Sequence, residues 1–150
     1  MKKIKIISRA VVVHDGKLLL VKNHARDFWS LPGGHWEFET ESLGECAIRE
    51  TKEETGHLIE LGDMIYCQEF RKSDSIVLEM YWAATISSKD QKRIDSIVDH
   101  KDIDDDSEIE KVEWFDKDSI LKAKVLPSAI VDYFVNDTRS NTFIGVFTFG

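Results

Sequence analysis

An α+β fold is what this sequence predicts. Three observations carry it: β-branched and apolar runs dominate the chain, one well-marked helix interrupts them near its middle, and further helical stretches come only near the end. Ile4 to Val13 is the first strand candidate. The turn signal "HDG" at 14–16 and then "KLLLVKN" follow, which together read as a β-hairpin. "HARDFWSLPGG" reads as a loop shaped by Pro32, Gly33 and Gly34. Ser42 and Glu45 form a Ser-x-x-Glu capping box, so a helix should begin at Leu43. Gly56 suits its far end, so it should stop near Thr55. Leu58 to Phe70 and Ser75 to Ser87 read as two strands joined by the polar turn "RKSD". Residues 88–109 form a polar, acidic connection, with a short helix expected at 90–98. "EKVEWF" reads as a strand, "DKDSILKA" and "LPSAIVDYFVN" as helices, the second with Pro127 near its start, and "NTFIGVFTFG" as a last strand.

The chain has 150 residues, 42% of them hydrophobic, which suits a single domain spanning 1–150 with its own core. Its net charge of -8 argues against stable nucleic-acid binding and against anionic membranes. A phosphorylated substrate stays open, because a bound divalent cation inverts the local field. Cys46 and Cys67 make neither a CxxC pair nor a disulfide framework, which fits a reducing compartment. "MKKIKIISRAVVV" starts basic and then turns apolar, like a signal peptide, but Ser8 and Arg9 interrupt it and a strand-like run follows. A cytoplasmic protein without a membrane span is the expectation.

The central helix raises a question of charge. Five glutamates stand between positions 41 and 54, and Glu50 and Glu54 are four apart, a like pair that costs a helix roughly 0.2–0.5 kcal/mol. On a helical projection Glu50, Glu53 and Glu54 share an arc of about 100°. Ile48, Thr51 and Thr55 fall toward the other side, where they can pack on a sheet. A solvated acidic face would look the same in isolation. Here a loop with Gly33 and Gly34 precedes the helix, and such glycines let the backbone come close to a ligand. Carboxylates and backbone carbonyls are the hard oxygen ligands that Mg²⁺ prefers.

The segment resembles the Nudix box, Gly-x5-Glu-x7-Arg-Glu-hydrophobic-x-Glu-Glu-x-Gly-hydrophobic. Glu41, Arg49, Glu50, Glu53, Glu54 and Gly56 fall in register, and "WSLPGGHWEF" is similar to the usual lead-in. Three departures stand out. Six residues, not five, separate Gly34 from Glu41, which reads as a bulge in "EFETE" and unsettles the placing of Glu41 and Glu39. Thr51 and His57 occupy positions that are usually hydrophobic.

What the resemblance implies is specific. The fold would be the Nudix fold, a mixed β-sheet core packed between α-helices as an α/β/α sandwich. Glu50 and Glu54 would be the principal ligands of Mg²⁺ or Mn²⁺, with Glu53 and the Gly34 carbonyl beside them. Arg49 would orient the carboxylates and Glu41 would support that network, with Gly33 and Gly56 as structural supports. The reaction would be hydrolysis of a nucleoside diphosphate linked to a further group, by positioning and charge neutralisation. Its general base would be a box glutamate such as Glu53 or Glu54, or a carboxylate from the later loop, where "DDDSEIEKVEWF" offers Glu108 and Glu110.

Arg9, Lys22 and Arg26 lie where the family often borders the substrate phosphates, although each also reads as a surface charge. Arg26, Trp29 and Glu110 are the substrate-side candidates. Phe28, Trp29 and Trp36 could stack on a base or simply pack the loop. His24, His35 and His57 lack zinc spacing. Diadenosine polyphosphate hydrolases of the family tend to carry a tyrosine, and its ADP-ribose pyrophosphatases a proline, a short way past the box. Here that window is about Lys72 to Ser75 and holds neither, and the NADH-type "SQPWPFPxS" signature is absent. Elimination therefore favours a MutT-like nucleoside triphosphate pyrophosphohydrolase. The alternatives are an enzyme acting on RNA 5′ ends or nucleotide sugars, and a non-catalytic nucleotide sensor. The family is often dimeric, so a homodimer is a further expectation of the resemblance.

Overall fold

The computed structural model describes residues 1–90, 108–136 and 143–147. Strand β1 (Lys3–His14) organises the sheet. It pairs in parallel with β6 (Ser75–Ile86), from Lys3 opposite Ser75 to Val12 opposite Ala84. On its other edge Ile7, Ser8 and Arg9 pair antiparallel with the short β4 (Gly33–His35). β5 (Ile59–Arg71) runs antiparallel to β6, and β8 (Phe143–Phe147) pairs in parallel with β5. β2 (Lys17–Asn23) belongs to a second, antiparallel group, with β7 (Ile109–Phe115) and the two-residue β3 (Trp29–Ser30) as neighbours. The helices among the described residues are α1 (Leu43–Thr55), α2 (Lys117–Ile120) and α3 (Ser128–Asn136).

Sequence patterning explains much of this. Along β1 the alternation of two sends Ala10 and Val12 to one face and Val11 to the other. Ala10 and Val12 meet Ala47 of α1, together with Leu19, Ile59, Ala84 and Ile86. Val11 joins Leu18, Leu20, Tyr81, Ile120 of α2 and Ile130 and Phe134 of α3. Among the described residues the sheet therefore carries one helix on one side and two on the other, the α/β/α arrangement.

Several expectations need correction. The hairpin after "HDG" is short. Asp15 and Gly16 both have positive φ, 47° and 70°, as a tight hairpin turn requires, yet only Val13–Leu18 and His14–Lys17 pair across it. Leu18 to Val21 are all buried, and a strand buried on both faces needs neighbours on both edges, so β2 takes β7 as its long partner. The loop at 24–34 contains β3 and the start of β4 rather than being wholly irregular. The helix expected over "DKDSILKA" is a single turn, capped by Asp116, whose carboxylate accepts from the Asp118 and Ser119 amides. It stops because the chain is drawn into extended pairing: the Trp29 amide donates to Lys124 and the Leu126 amide donates to Trp29. Beyond Asp90, the helix expected at 90–98 lies outside the described residues.

Candidate functional site

α1 forms where the capping box placed it. The Ser42 hydroxyl accepts from the Glu45 amide at 3.1 Å and the Glu45 carboxylate accepts from the Ser42 amide at 3.0 Å. Gly56 ends the helix at φ 75°, donating its amide to the Lys52 carbonyl at 2.9 Å. Cys46, Ala47, Thr51 and Thr55 form the buried face. Thr51 is tolerated at its apolar position because its hydroxyl donates to the Ala47 carbonyl at 2.7 Å, and Thr55 does the same to Thr51. His57, 2% exposed, is held with Nδ1 3.1 Å from the Asp90 carboxylate and its ring against Trp114.

Arg49 gathers the carboxylates. Its Nε and Nη2 each donate to Glu41 at 2.8 Å, a two-point grip. Its Nη1 donates to Glu50 at 2.9 Å and to Glu53 at 3.2 Å. Hydrogen bonds from Arg49, against some loss of water, hold the Glu41 carboxyl down at a pKa of about 2. Glu41 also accepts from the Glu37 amide at 3.1 Å. The extra residue before Glu41 is absorbed by a turn rather than by a bulge. The Thr40 and Glu41 amides both donate to the Glu37 carbonyl, and the Trp36 indole donates to the Glu41 carbonyl. Glu39 is left exposed in that turn. Trp36 leans edge-on toward the exposed Phe38.

Glu50 and Glu54 point at the glycine pair. The Gly33 amide donates to Glu54 at 3.1 Å. A Cβ added to Gly34 would sit 2.5–2.8 Å from the Glu50 carboxylate, so glycine is what lets that carboxylate lie against the β4 backbone. Burial pushes the Glu54 carboxyl up to about 8, against the opposing pull of the Gly33 amide and Arg9. Glu50 is also raised, mainly by burial, with Arg49 opposing. Two carboxylates largely taken from water, Glu50 bonded to Arg49 and Glu54 to the Gly33 amide, suit a divalent cation, and their oxygens beside a backbone strand are the donor chemistry Mg²⁺ and Mn²⁺ use. Among the described residues no three His, Cys, Asp or Glu side chains form a complete metal-binding group. The fit thus depends on the Glu50 and Glu54 carboxylates together with main-chain oxygen. The Gly34 carbonyl faces the Cys46 thiol at 3.6 Å. Burial raises that thiol to about 12, which removes it as a nucleophile.

The other candidates lie elsewhere. Glu108 is exposed; its carboxylate accepts from the Asn23 side chain and its carbonyl from the His24 amide. Arg26 is exposed in the same corner, with its guanidinium over Phe28. Glu110 is exposed on β7. Among the described residues no hydrogen bond or ion pair joins Glu108 to the helix carboxylates. Trp29 packs edge-on against Phe115 with ring centroids 4.9 Å apart. Arg9, which reads as a surface charge in sequence, is 12% exposed and bonded to Glu79 and to the Leu31 carbonyl. Its place inside the apolar, β-branched run from Ile4 to Val13 was the available signal.

A mixed sheet lies between helices as an α/β/α sandwich, with an arginine-braced acidic helix laid on a glycine-containing strand. The chain belongs to the Nudix family: the family model described as NUDIX domain matches residues 5–132. The 111R protein of Invertebrate iridescent virus 3 is 38% identical over 79 residues. That match covers 53% of this chain and 42% of the relative, so the alignment spans less than half of the relative's length. Among solved structures, a NUDIX hydrolase from Nitrosomonas europaea is similar at TM-score 0.74, with 19% identity over 99% of this chain and 81% of that one. An ADP-ribose pyrophosphatase from Streptococcus suis 89-1591 gives 0.64, with 18% identity, covering 97% and 98%. A MutT protein from Bacillus halodurans gives 0.60, with 21% identity, covering 97% and 90%. At these identities the structural likeness speaks to the fold. No described helix is long and apolar enough to cross a membrane.

Proposed function

We propose that the protein is a metal-dependent Nudix hydrolase that splits a phosphoanhydride bond in a nucleoside diphosphate joined to a further group. The observation that carries this reading is the convergence of Glu50 and Glu54 on Gly33 and Gly34, with Arg49 bracing Glu41, Glu50 and Glu53. In this reading Glu50, Glu54, Glu53 and the Gly34 carbonyl hold Mg²⁺ or Mn²⁺. A cation bound there would neutralise charge on the phosphates and make the attacking water more acidic.

The chain's own groups do the rest. Arg49 fixes the carboxylate rotamers and lowers their mutual repulsion, so the site exists before substrate arrives. Glu41, gripped at two points and also accepting from the Glu37 amide, braces Arg49 rather than meeting substrate. The water's proton goes to a carboxylate. Glu54 and Glu53 are the near choices and Glu108 the one from the later loop. Arg26, Trp29 and Glu110 are assigned to the substrate side.

A MutT-like nucleoside triphosphate pyrophosphohydrolase is the finer proposal. It rests on the absence of tyrosine and proline from Lys72 to Ser75. The test is a panel hydrolysis assay with Mg²⁺, with and without chelator, over standard and oxidised nucleoside triphosphates, ADP-ribose, diadenosine polyphosphates, nucleotide sugars and 5′-triphosphorylated RNA. Chelator-sensitive release of pyrophosphate from a nucleoside triphosphate is the expected result. Preferential cleavage of another member moves the substrate class. Nucleotide binding without any cleavage replaces the enzyme by a sensor.

A further inference from the structure

A second charged cluster lies on β1, β5 and β6, outside the helix. Arg9 on β1 and Glu79 on β6 form an ion pair at 3.3 Å, with side chains 12% and 13% exposed. Gln68 on β5 donates to Glu79 at 2.8 Å and to the Tyr81 hydroxyl at 2.8 Å, the Tyr81 hydroxyl donates to Glu79 by a short bond, and the Tyr66 hydroxyl donates to Gln68. A largely buried pair of this kind returns little net stability, because desolvation consumes most of the attraction. Its geometry suggests another use.

The cluster ends on the strip that carries the glycine pair. Arg9 Nη1 donates to the Leu31 carbonyl at 2.9 Å, and the Ala10 amide donates to the Pro32 carbonyl at 3.0 Å. Arg9 and Gly33 are directly opposite in the β1–β4 ladder. A Cβ on Gly33 would lie 2.5 Å from Arg9 Cγ, so the arginine stem runs directly beneath that glycine. Gly33 in turn donates to Glu54 at 3.1 Å. The chain of contacts is continuous from Glu79 through Arg9 and Leu31–Gly33 to Glu54.

We infer that Arg9 is a positioning residue: clamped by Glu79, it fixes the Leu31–Gly34 strip and so aims the Gly33 amide at Glu54. Two separate guanidinium nitrogens make the two bonds, one to Leu31 and one to Glu79. Lysine, a single point charge on a flexible stem, cannot make both in that fork geometry. The consequence for metal binding rests on the Glu50–Glu54 metal reading above; the consequence for the Gly33 amide does not.

The experiment separates them. Amide exchange in ¹⁵N-labelled protein with EDTA reads the Gly33 N–H, with β5–β6 amides as internal reference. Electron paramagnetic resonance titration reads Mn²⁺ affinity without substrate. In Arg9→Lys the Gly33 amide should exchange at least tenfold faster while the reference amides stay within twofold. Mn²⁺ affinity should fall at least fivefold, and kcat should drop with KM within twofold. Glu79→Gln keeps the shape and an acceptor for Arg9, so it should show the same changes at smaller size, and it carries the test if Arg9→Lys does not fold. Unchanged Gly33 exchange in a folded variant overturns the inference. So does a rise in KM alone, which would place Arg9 on the substrate. Absence of Mn²⁺ binding by the wild type overturns the metal reading, and Gly33 exchange then decides the role of Arg9 by itself.

Discussion

Adding one methyl group at each of two adjacent glycines should separate folding from chemistry. At Gly33 a Cβ would lie 2.4 Å from the Ser8 carbonyl oxygen and 2.7 Å from Arg9 Cα. Those are backbone atoms of β1, locked on their other edge to β6, so they cannot retreat without breaking the ladder. Gly33→Ala should therefore cost about 3 kcal/mol, the upper end of ordinary overpacking. At Gly34 the three atoms nearest the new Cβ all belong to the Glu50 carboxyl, at 2.5–2.8 Å. That is the far end of a flexible side chain, which can swing away. The loss of that contact and the reduced freedom of the unfolded chain act in opposite directions, so Gly34→Ala should stay within about 1 kcal/mol of wild type. Glu50 must then move by an ångström or so, which by the usual sensitivity of catalytic positioning lowers kcat about hundredfold. Urea denaturation and Mg²⁺-dependent turnover on the same preparations give both readings. If Gly34→Ala turns over normally, Glu50 does not need its place against the β4 backbone, and the metal-site geometry is wrong. If Gly33→Ala is as stable as wild type, the close packing of β4 on β1 is wrong.

Glu54→Gln can keep the Gly33 hydrogen bond, since an amide oxygen accepts as a carboxylate does; it should fold, lose most turnover and lose Mg²⁺-induced stabilisation in thermal melts. Normal turnover in a folded Glu54→Gln protein would sink the ligand assignment. Arg49→Lys should lose the two-point grip on Glu41 and cost about 1–3 kcal/mol along with most activity; a silent substitution by both assays would show that the carboxylates need no brace. Glu108→Gln should lower kcat while leaving Mn²⁺ affinity intact if that residue is the base, and transfer of the effect to Glu110→Gln would move the role. For pH, Glu41 has a folded-state pKa of about 2, below the ordinary 4.5. Its contribution is fully present above about pH 4.5 and is lost as pH falls through about 2. Glu41→Gln should flatten this part of the acid-denaturation curve, and an unaltered slope would show that the Arg49 grip does not persist in solution.

Much of the site was legible because it is local. Ser42, Glu45 and Gly56 set both ends of α1 by bonds within a few residues, so the helix boundaries followed from spacing alone. The clustering of Glu50, Glu53 and Glu54 followed from helical geometry, and Arg49 one residue from Glu50 and four from Glu53 followed with it. The turn that returns Glu41 to Arg49 was less legible. Its Glu37 hydrogen bonds depend on three-dimensional closure, and the one-residue excess looked like a bulge until the chain was folded. Arg9 was named as a candidate, but its pairing with Glu79 was missed because the two are 70 residues apart in sequence. Strand patterning marks such residues only as charges in apolar runs.

The sequence by itself determined the elements whose hydrogen bonds close within a few residues: α1, its caps, the Asp15–Gly16 turn and the acidic arc. It also carried the spacing that marks the Nudix family. Tertiary structure alone decided which strand partners which. β1 lies beside β6 and β2 beside β7, because apolar strands buried on two faces must find neighbours wherever the sheet supplies them. It also decided that Glu54 is partly buried against Gly33 and that Arg9 lies beneath that glycine. A local pattern fixes where a side chain points from its own backbone. Only the packed sheet fixes what stands there to meet it.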